Sequence, residues 1–147
     1  MSEPRFRFPL LAFTTDLAIW SLGTADELAT CGPMTLRDHL QVGMDVVDLD
    51  GNCWRVRSVR RVGPAPFSLR TLFHRPSKID HEWEERPRLS LSELKDRVCI
   101  SIAAHADCFL HFPDDADELA KLHAEIRAAD SIVAIGEMLG LDGFQGH

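Results

Sequence analysis

The chain has 147 residues, of which 45% are hydrophobic and 27% charged. That composition excludes disorder across the whole chain and allows one domain, residues 1–147, with a substantial core. Its formal charge of −7 is concentrated at one end: residues 113–147 hold two basic and eight acidic side chains. A field of that sign repels nucleic acid and anionic lipid and attracts basic partners, besides keeping a small protein soluble.

In chain order, Phe8 to Phe13 is apolar, Thr14-Thr15-Asp16 breaks the run, and Leu17-Ala18-Ile19-Trp20 follows. This reads as two short strands joined as a hairpin. The apolar run is too short for a signal or membrane segment. Thr24-Ala25-Asp26-Glu27 has capping-box spacing and predicts a short helix, which ends near Cys31 because Gly32-Pro33 cannot continue it. Thr35 to Leu40 fits one more helical turn or a loop.

Met44–Leu49 and Cys53–Val62 are the expected central strands, joined through Asp50-Gly51. Asp-Gly suits the positive φ that a tight hairpin turn demands. Alternation along the outgoing strand places Trp54 and Val56 on the core face and Arg55 and Arg57 on the other. Gly63-Pro64-Ala65-Pro66 ends that strand. Two further alternating segments follow: Phe67, Leu69, Thr71 and Phe73, and then Ile79, His81 and Trp83 against Asp80, Glu82 and Glu84. Each predicts a strand with one buried face.

From residue 90 the period changes. Ser90-Leu91-Ser92-Glu93 is a second capping box, and Leu91, Leu94, Val98, Ile102 and His105 keep helical spacing. Asp114 and Asp115 can cap a helix carrying Leu119, Leu122 and Ile126, and their charge suits its N-terminus. Ile132 to Leu139 predicts one more helix, stopped by Gly140, and Gly143 to His147 a loose tail. Strands first and helices last predict an α+β fold, a mainly antiparallel sheet with C-terminal helices packed on one face.

The four cysteines, Cys31, Cys53, Cys99 and Cys108, show no tight pairing, which predicts reduced thiols in a cytoplasmic protein. The densest reactive stretch is His105-Ala106-Asp107-Cys108-Phe109-Leu110-His111, with Cys99 and His123 nearby in sequence. Cys108 and His111 have a gap compatible with zinc, or with a thiol–imidazole pair oriented by Asp107. The absence of a paired Cys-x-x-Cys favours small core cysteines over a metal site. No P-loop, Gly-x-Gly-x-x-Gly or Gly-x-Ser-x-Gly is present. The sequence therefore predicts no cofactor, no metal and no catalytic residue. Arg55, Arg57, Arg60 and Arg61 could grip phosphates, but cross-strand pairing with Asp48, Asp80, Glu82 or Glu84 fits an acidic protein better.

The order Pro9-Leu10-Leu11-Ala12-Phe13 through Ile19-Trp20, a short helix at Thr24 to Leu28, and Val46-Val47-Asp48 joined by Asp50-Gly51 to Trp54-Arg55-Val56 carries a resemblance. With the late helices, it resembles small bacterial immunity proteins that accompany polymorphic toxins. The likeness spans residues 9–62 and the helical end in outline. It implies a cognate toxin, basic in charge, neutralised in a tight complex, with neither nucleic acid nor membrane as partner. These proteins share no catalytic residues, so none is carried over. The candidate partner surface is the helix start Asp114, Asp115, Asp117 and Glu118, followed by the acidic strand Asp80, Glu82 and Glu84. The rival expectations are a small enzyme using Cys108 and His111, and a nucleic-acid-binding regulator using the Arg55/Arg57 strand.

Overall fold

Six strands and five helices follow from these local signals in a computed structural model that describes residues 4–31, 40–64, 77–141 and 143–144. The strands are β1 (Leu10–Phe13), β2 (Ile19–Leu22), β3 (Thr30–Cys31), β4 (Asp45–Val47), β5 (Cys53–Pro64) and β6 (Ser77–Arg86). They form one antiparallel sheet in the order β2-β1-β4-β5-β6-β3. Helix α1 (Ala25–Leu28) precedes β3, and α2 (Leu91–Ala104), α3 (Ala106–Phe109), α4 (Ala116–Ala128) and α5 (Ile132–Met138) follow the sheet. This is the expected α+β arrangement. The expected elements at residues 35–39 and 67–73 lie outside the described residues. Among the described residues no helix is long and apolar enough to cross a membrane.

The central hairpin is built around Asp48, a fully buried carboxylate. Its Oδ1 accepts from the amides of Asp50 and Asn52 at 2.9 and 3.0 Å. Its Oδ2 accepts from the Arg7 amide at 3.2 Å, which ties the N-terminal segment to the turn. Only Gly51 takes a positive φ (83°), so the turn needs one left-handed residue where a two-residue Asp-Gly turn would need two. A side chain there would also meet the Leu89 carbonyl oxygen at 2.5 Å, a contact only glycine permits.

Helix α1 is shorter than its sequence predicts. Thr24 caps it by accepting from the Glu27 amide at 3.2 Å, but the Glu27 carboxylate accepts from Gly23 rather than from the cap itself. The chain then leaves the helix because β6 recruits it: the Ile79 amide donates to the Ala29 carbonyl at 2.8 Å, and Thr30–Cys31 pair with Lys78 and Ser77. At α2 the full capping box forms between Ser90 and Glu93.

Strand β1 is buried on both faces. On one face Leu11 and Phe13, with Val47 and Cys53, meet Leu94, Val98 and Ile102 of α2, Ile126 of α4 and Ile135 of α5. On the other, Leu10, Ala12, Met44, Val46 and Val56 form a second cluster under Phe6, Phe8, Leu28, Trp20 and Trp83. The C-terminal helices thus cover one face as expected, and the N-terminal segment with α1 covers part of the other. Val56 is buried as expected, while Trp54 is only half-buried. The tail departs from expectation at Phe144, which is fully buried in the helix-side core.

Candidate functional site

The two predicted acidic surfaces lie on separate elements. Asp115 is the N-cap of α4, its Oδ1 accepting from the amides of Asp117 and Glu118 at 2.9 and 3.3 Å. Glu118 reaches back to the preceding loop, where one carboxylate oxygen accepts from the amides of His111 and Phe112. Two of the four acids in this group therefore hold the loop and the helix start together. Asp114 and Asp117 are exposed, and among the described residues neither side chain is engaged in a hydrogen bond or ion pair. The loop leading into this helix displays the Phe112 ring, 69% exposed. A large apolar side chain held out by a pinned loop has the form of an interface anchor.

On β6, Asp80 pairs with Arg60 of β5 at 3.2 Å and Glu82 accepts from the Ser58 hydroxyl at 3.2 Å. Glu84 stands opposite Arg55 in register. The acidic strand is thus partly neutralised by the strand beside it, and the acidic start of α4 is the less compensated surface.

The arginine strand behaves as pairing predicts, with a partner the sequence reading did not single out. Arg55 makes a two-pronged contact with Asp45, Nε to Oδ1 at 2.8 Å and Nη2 to Oδ2 at 3.2 Å. Arg97 of α2 adds a bond to the same carboxylate at 2.8 Å and lies 4.7 Å over the Phe13 ring. Asp45 is 5% exposed. Burial alone raises its pKa, but the bonds from Arg55 and then Arg97 outweigh that and hold it below the usual carboxylate range. The guanidinium of Arg55 is therefore committed to the fold. The legible signal was a carboxylate inside the apolar run Met44-Asp45-Val46-Val47, since such a group needs a buried partner.

The Cys/His stretch does not converge. Cys99 is buried in the helix-side core, and burial pushes its thiol up, while Arg127 and Asp96 act in opposite senses on it. Burial likewise pushes Cys53 up to about 11. Thiols held protonated in this way are poor nucleophiles. Cys108 lies exposed on α3, and His111 is exposed on the loop beyond it. His105 is turned to the Asp16 carbonyl at 2.8 Å. Among the described residues no three His, Cys, Asp or Glu side chains are grouped to hold a metal ion.

A cleft opens on the sheet face opposite the C-terminal helices, beside α1. His81 and Trp83 of β6 stack at 4.8 Å, and the His81 Nε2 lies 2.7 Å from the Gln41 Oε1. Alternation in the sequence had already placed Ile79, His81 and Trp83 on one buried face; the partners Gln41 and Phe6 come from far along the chain. Burial lowers the His81 pKa to about 4, against a smaller opposing effect of Asp80. The folded value lies below the ordinary 6.5, so on acidification the unfolded state takes up the proton first. This contribution to stability is full above 6.5 and falls as pH drops from 6.5 to about 4. Urea midpoints over that window are expected to decline less steeply in His81→Gln than in the parent protein. Parallel profiles would show that the imidazole titrates normally.

Comparison with protein-family models, with curated proteins and with solved structures found no match, so the geometry itself carries the functional reading.

Proposed function

We propose that the protein works by binding another protein, as an immunity protein that neutralises a cognate bacterial toxin in a tight complex. The observation that carries this reading is the exposed start of α4, where Asp114 and Asp117 closely follow the displayed Phe112 in a chain of charge −7. An acidic patch of this kind accelerates encounter with a basic protein, and a central apolar anchor slows its release. The sequence-level resemblance to immunity proteins supports the same class of partner. Asp80, Glu82 and Glu84 form the second candidate surface.

The test begins with the genes adjacent to this one. Expression of a neighbouring product should arrest growth, co-expression of this protein should restore it, and the two should co-purify. A set of innocuous neighbours with no stable complex would overturn the reading. In the complex, Asp114→Lys/Asp117→Lys is expected to slow association by about tenfold at low ionic strength, with the difference shrinking in high salt. Phe112→Ala should instead speed dissociation. Association rates that ignore the charge reversal would move the interface away from α4.

A further inference from the structure

We propose that the cleft between the N-terminal segment and β6 is a binding site for an uncharged fused-ring aromatic compound that carries an N–H or O–H donor. The cavity measures about 630 Å³, within the range of roughly 300–1,000 Å³ that accommodates small ligands. Phe6 and Phe8 of the N-terminal segment, Leu28 of α1, and Ile79, His81 and Trp83 of β6 line it.

The aromatic wall is held in place before any ligand arrives. Phe6 packs edge-on to Phe8, with centroids 6.2 Å apart and planes at 79°. It packs edge-on again to Trp83, at 5.4 Å and 70°. Trp83 in turn is stacked on His81 with planes at 27°. Rings fixed against one another present apolar surface without losing further freedom on binding.

One polar group gives the cleft its direction. The Gln41 Oε1 can only accept, so the His81 Nε2 beside it carries the ring proton. The ring stays neutral at pH 7 because burial disfavours its charged form, and Nδ1 therefore keeps its lone pair. Among the described residues nothing donates to that nitrogen, and the one buried polar side-chain atom left wholly without a partner lies elsewhere, at His123 Nε2. The result is an open acceptor on a residue that lines an aromatic cleft. A ligand with an N–H or O–H on a flat ring system satisfies it while covering the apolar wall. The charged part of the lining is Arg60, paired with Asp80, and Glu82, which leaves the local balance negative and disfavours an anionic ligand.

Three soluble probes separate these requirements: indole, 1-methylindole, which lacks the donor, and indole-3-carboxylate, which adds a negative charge. Each is titrated into the full-length 15N-labelled protein, following the side-chain signals of His81 and of Trp83, the latter identified by its loss in Trp83→Phe. Indole is expected to shift both signals saturably, with a Kd below about 1 mM. 1-Methylindole and indole-3-carboxylate are expected to bind at least about tenfold more weakly, the cost of one unmade hydrogen bond or one unfavourable charge. In His81→Phe the preference for indole over 1-methylindole should vanish; since the three-probe ranking in the parent protein stands by itself, the test survives if that variant fails to fold. Equal binding of indole and 1-methylindole, or shifts confined to Trp20 and Trp54, would overturn the proposal. So would the absence of any saturable shift.

Discussion

Asp45→Asn is expected to destabilise the protein by about 3 kcal/mol, the lower end of the range for breaking a buried ion pair. The carboxylate is 5% exposed and neutralises two guanidinium groups that approach it from different elements, Arg55 of β5 and Arg97 of α2. Asparagine keeps the shape and one acceptor but removes the charge, so both cations lose their counterion. Their side chains retain 38% and 32% exposure, so water recovers part of the loss, which is why the upper end of the range is not expected. Urea denaturation at neutral pH measures the difference directly. A midpoint unchanged from the parent protein would mean that the ion triad contributes nothing net.

The same group fixes a pH dependence. Because the folded Asp45 pKa lies below the ordinary 3.8, its contribution is present above that value and is lost as pH falls through the lower folded one. The gap between parent and Asp45→Asn should therefore be constant from pH 7 to about pH 5 and close in stronger acid. A second comparison separates the worth of the pair from the cost of breaking it. If the three residues are replaced together by apolar ones of similar size, the protein should be more stable than Asp45→Asn alone, because no charge is then left buried.

Phe144→Ala is expected to cost about 3–5 kcal/mol, the range for emptying a well-packed aromatic site. Phe144 is fully buried near the end of the chain, and its ring lies where a side chain at Gly136 would be: a Cβ there would meet the Phe144 ring at 2.3 Å. Gly136 stands within α5, where glycine otherwise weakens a helix. The close seat of the ring is the reason to keep it. Gly143 approaches Gly23 in the same way, with a φ of 84°, so this end of the chain is docked against two separate parts of the fold. Gly136→Ala should cost about 1–3 kcal/mol by overpacking. In the double variant the clash with the ring is gone and only the Cβ of residue 144, at 2.8 Å, still has to give, so the two effects should sum to less than their separate values. Urea midpoints for the three variants check this. A Phe144→Ala loss within about 0.5 kcal/mol would show that the ring is peripheral.

These two sites were differently visible in the sequence. Asp45 could be noticed, because a carboxylate flanked by Met44, Val46 and Val47 must be either exposed or paired. Its partners could not be named, since Arg97 lies 52 positions away on a helix whose packing angle no local pattern encodes. Phe144 was hidden by its neighbours. Gly143 before it and the polar residues after it have the composition of a tail, and a single aromatic residue has no period to reveal a buried face. The partner surface was legible as a charge cluster. The division of labour within it was not: Asp115 and Glu118 serve the helix start and its loop, and Asp114 and Asp117 are left to face outward.

The sequence by itself determined the features that depend on contacts a few residues long. The Asp50-Gly51 turn, the Ser90–Glu93 capping box and the switch from strand to helical periodicity near residue 90 follow from backbone sterics and local hydrogen bonding. Tertiary structure alone decided what depends on distant groups meeting. It ended α1 at Leu28 by offering Ala29 a partner on β6. It buried β1 on both faces, gathered Phe6, His81 and Trp83 around one cleft, and set Gln41 against His81. Such contacts arise from the free energy of burying and pairing groups once the chain has closed on itself, and no window of neighbouring residues contains that information.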